Sequence, residues 1–143
     1  YMKKIAFVCM GNTCRSPMAE CILKSLCKDN QITGLKISSY GLSAQNGQEI
    51  NPLAKQVLLD NHIRYKSHKA KKLTDKIMKS QDIVFVMTED IKRILKKYSN
   101  VYTIKEFVDG VDIPDPYGLG YAEYEAVFKL LYQSCKLMLK KLV

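Results

Sequence analysis

The sequence lacks the features that mark membrane-spanning and exported proteins. No apolar run approaches the roughly 18 residues that a transmembrane helix requires, and no secretory signal is recognisable. The five cysteines are an odd number and show no regular disulfide framework. We therefore expect reduced thiols, a cytoplasmic location and no membrane partner. Repeats, linkers and low-complexity segments are also missing, so we expect residues 1–143 to form one domain.

Acidic residues are scarce, since 14 Asp and Glu stand against 23 Lys and Arg and the net charge is +9. Lysines are densest at 66–72 and 92–97, but neither a zinc-finger nor an aromatic RNA-binding motif accompanies them. We interpret both runs as solvated surface and expect no nucleic-acid partner. A basic surface also attracts phosphorylated or acidic partners, so the charge alone does not decide between these classes.

Apolar segments of strand type and helix type alternate along the chain. Strand-like segments lie at 5–8, 35–37, 83–86 and 101–104, and helix-like segments lie at 19–26, 52–61, after Thr74, after Thr88 and at 124–142. This alternation predicts an α/β fold of three layers, a four-stranded parallel sheet with helices on both faces. In such sheets ligands bind beyond the carboxyl ends of the strands.

Local signals predict where helices begin and which sides they bury. Asn51 is a predicted N-cap, with Pro52 at the first helical position, and Thr74 is a predicted cap of the short helix that follows it. The helix after Thr88 is expected to place Ile91, Ile94 and Leu95 on one face. The longest helix carries an apolar stripe made of Tyr124, Val127, Phe128, Leu131, Cys135, Met138 and Leu142.

One run joins the first strand to the first helix: Cys9-Met10-Gly11-Asn12-Thr13-Cys14-Arg15-Ser16-Pro17. Such a turn aims backbone N–H groups and a helix N-terminus at one point, which suits an anion. Gly11 and Asn12 tolerate the left-handed conformations that the loop needs. Arg15 adds a planar fork of donors that matches phosphate oxygens. A Cys9 thiol in this positive field becomes a thiolate, so the run predicts a nucleophile for phosphoryl transfer with a phosphate-binding loop after the first strand.

Two other interpretations fit the same cysteines. Cys9 and Cys14 could be buried small side chains, which is the common fate of free cysteines. They could also be metal ligands, but no nearby histidine or further cysteine pair completes a tetrahedral site. The catalytic interpretation is favoured by the apolar strand before the loop, by Gly11-Asn12 within it and by Arg15 at the helix start.

A cysteine nucleophile also needs an acid that protonates the leaving group. Asp109, Asp112 and Asp115 all follow the fourth predicted strand. Asp115 is the best candidate because Pro114 and Pro116 restrict the backbone around it. Taken alone, the same segment predicts an ordinary Asp-Pro turn. The anion-binding loop predicted at the same edge of the sheet favours the catalytic role.

The run from Cys9 to Pro17, together with Asp115-Pro116-Tyr117, resembles the low-molecular-weight protein-tyrosine-phosphatase family over essentially the whole chain. The resemblance implies that Cys9 attacks phosphorus to form a phosphocysteine and that Arg15 and the loop amides hold the transferring oxygens. It implies that Asp115 protonates the leaving atom and then activates water. Residues implied in substrate or phosphate binding are Met10, Gly11, Asn12, Thr13, Cys14, Ser16 and Tyr117.

Within that set, the resemblance implies that Ser16 hydrogen-bonds the Cys9 thiolate and that Asn12 braces the loop. It implies no metal and no cofactor, because the loop itself supplies positive charge. The implied partners are phosphorylated proteins, with inorganic phosphate or other oxyanions in the active site.

Residue 13 bears on the substrate. Phosphotyrosine members of the family usually carry an aliphatic residue there and an aromatic one in the loop after the second strand, where this chain has no Trp or Tyr near Gln45. Thr13, the Asn46-Gly47 pair, Met87-Thr88 and the segment 101–106 resemble the bacterial protein-arginine-phosphatase branch. A polar wall suits a guanidinium better than a phenyl ring, so phosphoarginine is favoured and phosphotyrosine is the alternative. Thr13 could instead merely satisfy hydrogen bonds of the loop.

Two further functions use the same loop. Arsenate reduction needs additional cysteines that resolve the arsenic adduct, and the segment 88–92, where they are expected, has none. Cys21, Cys27 and Cys135 fall on helical stripes, which indicates core positions. A non-catalytic phosphate-binding module is the third possibility. The joint presence of a nucleophile, a cation and an acid argues against it.

Overall fold

A computed structural model describes residues 2–143. In chain order, its elements are β1 (Lys3–Cys9), α1 (Arg15–Asp29), β2 (Leu35–Gly41), α2 (Pro52–Asp60), α3 (Asp75–Ser80), β3 (Ile83–Val86), α4 (Glu89–Ile94), β4 (Val101–Thr103), α5 (Ile104–Val108) and α6 (Tyr121–Leu142). None of the helices in residues 2–143 is long and apolar enough to cross a membrane.

The four strands form one sheet in the order β2-β1-β3-β4, and each neighbouring pair is parallel. Ile5, Ala6, Phe7 and Val8 of β1 are all completely buried. Because successive strand residues point to opposite faces, this run shows that both faces of the sheet are covered. The predicted α/β architecture, a four-stranded parallel sheet with helices on both faces, is confirmed.

The two longest helices, α1 and α6, pack against each other, and α1 also packs on β1 and β2. Each member of the stripe predicted on the longest helix is buried in α6. The predicted caps are also present. The Asn51 side chain accepts hydrogen bonds from the N–H groups of Leu53 and Ala54, and the Thr74 hydroxyl accepts one from Ile77.

Two local predictions were wrong. Ile91 and Leu95 are buried, but Ile94, the last residue of α4, is 63% exposed, so the buried side of this short helix is narrower than predicted. The predicted fourth strand also runs one residue too far, since Ile104 begins α5. This helix begins with a capping box, in which Thr103 and Glu106 exchange side-chain and backbone hydrogen bonds.

The topology explains where a ligand can bind. From β1 the chain moves to one side of the sheet to form β2, and β3 pairs with the other side of β1. At such a reversal the loops beyond the strand carboxyl ends diverge and leave a crevice. β1 ends at Cys9 and α1 begins at Arg15, so the predicted phosphate loop lies at this crevice.

Candidate active site

Residues 10–14 form the loop between β1 and α1. Among the backbone hydrogen bonds of residues 2–143, none uses an N–H group of residues 10–14 as donor. The first N–H groups of a helix also lack partners within it, and α1 is 15 residues long. Loop donors and the positive end of the helix dipole therefore meet at one place, which is suited to an oxyanion.

The Cys9 side chain is buried at the end of β1, with Sγ 2.9 Å from Oγ of Ser16. Nδ2 of Asn12 donates to the same Ser16 oxygen at 2.8 Å. That oxygen already accepts from Asn12, and its own hydrogen can point at the sulfur or at the carbonyl oxygen of Tyr40, which lies further away at 3.5 Å. The Ser16 hydroxyl is therefore placed to donate a hydrogen bond to the Cys9 sulfur.

Asn12 holds the loop in shape from a completely buried, left-handed position, with φ of 56°. Its Nδ2 donates to Ser16 and, at 3.0 Å, to Oγ of Ser39 on β2. Its Oδ1 accepts from the backbone N–H of Lys71 at 2.9 Å, and its carbonyl oxygen lies 2.7 Å from Nε2 of His68. The loop is therefore tied to α1, to β2 and to the segment 68–71 through one residue.

His68 is a neutral donor in this arrangement. A carbonyl oxygen can only accept, so the proton on the imidazole must lie on Nε2. Burial lowers the pKa of His68, and the hydrogen bond to the Asn12 carbonyl opposes that effect only in part. At neutral pH the ring is uncharged and carries the single proton that the loop requires.

Glycine is required where β2 passes behind the loop. A Cβ atom on Gly41 would lie 2.7 Å from the carbonyl oxygen of Met10 and 2.8 Å from the nitrogen of Asn12. Both contacts are with backbone atoms and cannot be relieved by a side-chain rotation. The contact explains why β2 ends on a residue without a side chain, and the sequence alone did not reveal it.

Arg15 connects the phosphate loop to the acidic loop. Its side chain is only 6% exposed, its Nη1 donates to the carbonyl oxygen of Ile113 at 2.9 Å, and its Nη2 lies 3.8 Å from Oδ2 of Asp115. One edge of the guanidinium is thus engaged by protein. A guanidinium has five N–H donors, so others remain for an anion in the loop.

Asp115 lies on a segment that is anchored on both sides. Ile113 is fully buried and its N–H donates to the carbonyl oxygen of Met87, just after β3, at 3.1 Å. Oδ1 of Asp115 accepts from the N–H of Tyr117 at 3.0 Å, which fixes the carboxylate through an Asx turn. The carboxylate is 54% exposed, so it is held in place and still open to a substrate.

These groups converge on a cavity of about 290 Å³. Its lining residues are Cys9, Met10, Gly11, Thr13, Cys14, Arg15, Gln48, Asp115 and Tyr117. Asn12 and Ser16, the other two predicted site residues, are fully buried beneath it. Gln48 was not among the predicted site residues, although the family resemblance had pointed to the loop after β2 that carries it. A cavity of about 590 Å³ lies elsewhere, on the surface of α1 and α6.

The second cysteine of the loop has a different environment from the first. Cys14 Sγ lies 3.3 Å from the hydroxyl of Tyr124 on α6 and 3.8 Å from Oγ1 of Thr13. Burial raises the pKa of Cys14, which keeps it a thiol at neutral pH. Cys9, by contrast, has a hydroxyl partner that is itself oriented by an asparagine.

The remaining cysteines lie outside the cavity. Cys21 and Cys27 are on α1 and Cys135 is on α6, and all of them are free thiols. Cys27 and Cys135 are buried as predicted, whereas Cys21 is only half-buried. Within residues 2–143 no group of three or more His, Cys, Asp or Glu side chains is arranged to hold a metal ion.

Comparison with known protein families agrees with this geometry. Residues 4–143 match the family described as low molecular weight phosphotyrosine protein phosphatase. The chain belongs to this family. It is therefore a protein phosphatase, and its parallel sheet and the loop after β1 are those of the family fold.

Relatives with two different names resemble this phosphatase. It is 37% identical to a protein-arginine-phosphatase of Bacillus subtilis over 121 residues, which cover 80% of this chain and 79% of that one. It is 35% identical to the low molecular weight protein-tyrosine-phosphatase PtpB of Staphylococcus haemolyticus over 140 residues, 94% of this chain and 96% of the other. A solved structure of the YwlE arginine phosphatase, a mutant with a phosphorylated active-site serine, superposes with a TM-score of 0.90 at 32% identity, covering 97% and 95% of the two chains.

The neutral state of His68 makes stability depend on pH. Because the pKa of His68 is lower in the folded protein, the unfolded chain takes up the proton first as the pH falls below about 6.5, and acid favours unfolding. A glutamine in place of His68 would keep an N–H donor for Asn12 and cannot titrate. We expect His68→Gln to reduce the loss of unfolding free energy between about pH 8 and pH 5, as measured by urea denaturation. The matched control is His62→Gln at the exposed histidine; an equal change in both variants would contradict the assignment.

Proposed function

We propose that this phosphatase hydrolyses phosphorylated protein side chains through a phosphocysteine on Cys9, with phosphoarginine as its favoured substrate. The observation that carries the proposal is the meeting of Cys9, Arg15 and Asp115 at one cavity. Each group has the chemistry that one part of phosphoryl transfer requires. No cofactor is needed in this scheme, because loop amides and Arg15 supply the positive charge.

In the first step the Cys9 thiolate attacks phosphorus from the floor of the cavity. The S–P bond forms while the bond from phosphorus to the leaving oxygen or nitrogen breaks. Free N–H groups of residues 10–14 and the unused donors of Arg15 hold the three transferring oxygens. Asp115, at the open side of the cavity, gives its proton to the leaving atom.

In the second step the deprotonated Asp115 takes a proton from water as the water oxygen attacks phosphorus. The S–P bond breaks, inorganic phosphate is released and the thiolate returns to its hydrogen bond with Ser16. One residue thus serves as acid and then as base, which its exposed position permits. The net reaction consumes one water for each phosphoryl group removed.

The environment of Thr13 supports phosphoarginine. Its backbone carbonyl accepts from Asn51 at 2.9 Å, which fixes the residue against the start of α2. Its hydroxyl has only the weak partner Cys14 Sγ at 3.8 Å within the described chain, so it is not consumed in bracing the loop. A hydroxyl free at the cavity wall can accept from a guanidinium N–H, whereas a phenyl ring would leave it unpaired.

Phosphotyrosine is the alternative substrate, and Tyr117 is the feature that favours it. This ring is 72% exposed at the cavity mouth and could stack on a phenol. Arsenate reduction is less favoured, because the described residues that line the cavity include no third cysteine to resolve an arsenic adduct. As part of the proposal we place the protein in the cytoplasm, where its five free thiols would stay reduced, and we assign it no nucleic-acid partner.

The nucleophile is tested by replacement of Cys9. Serine at this position stays protonated at neutral pH, so we expect Cys9→Ser to lower turnover of an aryl phosphate by about 1,000-fold or more. Inorganic phosphate should still bind, which calorimetry would show, because the loop donors are unchanged. The matched control is Cys21→Ser, at a half-buried cysteine outside the cavity, which should retain activity. Substantial turnover by Cys9→Ser would remove Cys9 from the mechanism.

The acid is tested by leaving groups of different basicity. We expect Asp115→Asn to slow phosphate release from poor leaving groups by about 100- to 10,000-fold and to affect good ones much less, since only poor ones need the proton. A series of aryl phosphates measures this dependence. Asp112→Asn, in the same loop, is the control. Equal slowing across the series would show that Asp115 is not the acid.

Substrate choice is tested at Thr13 with two variants. Thr13→Val removes the hydroxyl at nearly constant shape, and Thr13→Ile also narrows the cavity. An unpaired buried donor costs about 1–3 kcal/mol, so the ratio of kcat/KM for phosphoarginine over phosphotyrosine peptides should fall by about ten- to a hundredfold. If both substrates respond equally, or if the unmodified protein already prefers phosphotyrosine, the tyrosine alternative holds.

A further inference from the structure

Another cavity, of about 300 Å³ and here called the second cavity because it lies beside the catalytic one, borders the active site. Its lining residues are Glu49, Ile50, Pro52, Lys55, Tyr65, Lys66, Ser67, His68 and Lys69. Cys9, Arg15 and Asp115 are not among them, and none of the catalytic steps described above uses the lysines that line it. Its walls come from the end of the loop after β2, from α2 and from the segment 65–69.

The two cavities are joined by adjacent residues. Gln48 lines the catalytic cavity and Glu49 lines the second one. The N–H of Ala70 donates to the carbonyl oxygen of Gln48 at 2.8 Å, and the N–H of Gly47 donates to the carbonyl of Ala70 at 2.9 Å. His68, in the second cavity, reaches the carbonyl of Asn12 in the phosphate loop. The distance between the two cavities is therefore fixed by backbone hydrogen bonds.

The second cavity has a positive rim. Lys55, Lys66 and Lys69 line it, and the only acidic residue among its described lining is Glu49. Nζ of Lys69 lies 3.3 Å from Oε1 of Glu49, but both side chains are well exposed, so this pair is weak and can exchange partners. Three lysines and one glutamate leave the rim of the cavity with a net positive charge.

The floor of the cavity is apolar and suits the aliphatic part of a side chain. Ile50 is buried and Tyr65 is half-buried. Nζ of Lys55 lies 5.8 Å from the centre of the Tyr65 ring, so the lysine is held over the ring and its charge stays at the rim. A short apolar stem that ends in a negative group matches this combination of floor and rim.

We propose that this cavity, the lysine subsite formed by Lys55, Lys66 and Lys69, binds a carboxylate side chain of the protein substrate close to the phosphorylated residue. The inference rests on the proposed function, since it concerns substrates of the same active site. An extended peptide advances about 3.3–3.6 Å per residue, so an Asp or Glu a few positions from the phosphorylated side chain can reach the subsite. The preferred substrates are then phosphorylated proteins with acidic residues beside the phosphorylation site.

The expected preference follows from the strength of exposed ion pairs. Each exposed ion pair is weak. Three lysines acting together on one or two carboxylates should raise kcat/KM for an acidic peptide about tenfold over its neutral counterpart at low salt. The preference should shrink as salt screens the charges over about 10 Å at 0.1 M. Reactivity of the phosphorus is not involved, so the effect should be confined to substrates long enough to reach the subsite.

The test uses paired phosphopeptides with the intact chain. Each pair carries the same phosphorylated residue, flanked either by Glu or by Gln, and both phosphoarginine and phosphotyrosine pairs are measured. The variant is Lys55→Gln, Lys66→Gln and Lys69→Gln combined. The matched control is Lys28→Gln, Lys96→Gln and Lys140→Gln combined, which removes the same charge from exposed positions that do not line either cavity.

Support for the lysine subsite requires a specific pattern. The unmodified protein and the control should prefer the Glu-flanked peptide by about tenfold, the subsite variant should show a ratio near one, and all three should hydrolyse a small aryl phosphate equally. Equal rates on both peptides of a pair would overturn the subsite while leaving the proposed function standing. Equal loss of preference in the variant and the control would also overturn it, since overall charge would then be the cause.

Two further outcomes distinguish failure of the proposed function, and binding of a different ligand, from failure of the subsite alone. If the unmodified protein releases phosphate from neither peptides nor the aryl phosphate, the proposed function fails and not the subsite alone. If a short single-stranded oligonucleotide binds and this binding is lost only in the subsite variant, while peptide ratios stay near one, the cavity belongs to nucleic acid and the proposal is overturned.

Discussion

The arrangement of the active site depends on the hydrogen bonds of Asn12. A loop with free N–H groups would collapse onto other acceptors unless something held it open, and a buried asparagine in the left-handed region does so. Its contacts reach β2 through Ser39, which in turn donates to Glu20 on α1 at 2.5 Å. Because the donors are fixed before an anion arrives, little free energy is spent on ordering them.

Arg15 makes the position of Asp115, the proposed acid, depend on the same loop. It directly follows the phosphate loop and is hydrogen-bonded to the carbonyl of Ile113, two residues before Asp115. A displacement of α1 would therefore move the anion site and the carboxylate together. This coupling preserves the distance between Cys9 and Asp115, the proposed nucleophile and acid. It also holds the Asp115 carboxylate in place although that side chain is exposed.

Features encoded over a few residues were predictable from the sequence, and features that depend on distant contacts were not. The strands, the Asn51 and Thr74 caps and the α6 stripe follow from local pattern. The capping box of α5, formed by Thr103 and Glu106, is also local, but it was not predicted because Thr103 lies in a run with strand-like pattern. Gly41, Gln48 and His68 could not be placed, because their partners lie far along the chain and only the parallel sheet brings them together.

Under the two proposals, substrate choice in this phosphatase depends on two kinds of contact, one with the phosphorylated side chain and one with the residues that flank it. At phosphorus, the Thr13 hydroxyl is proposed to distinguish a guanidinium from a phenyl ring through hydrogen bonds made in a confined cavity, where an unmatched polar group is costly. Beside it, the proposed lysine subsite would attract flanking carboxylates through weak, salt-sensitive charge interactions. The contact with Thr13 would select the kind of phosphorylated residue, and the lysine subsite would select among the proteins that carry such a residue. Gln48 lines the catalytic cavity, Glu49 lines the second one, and no described side chain lines both. The residues of one cavity can therefore change in sequence while those of the other are kept.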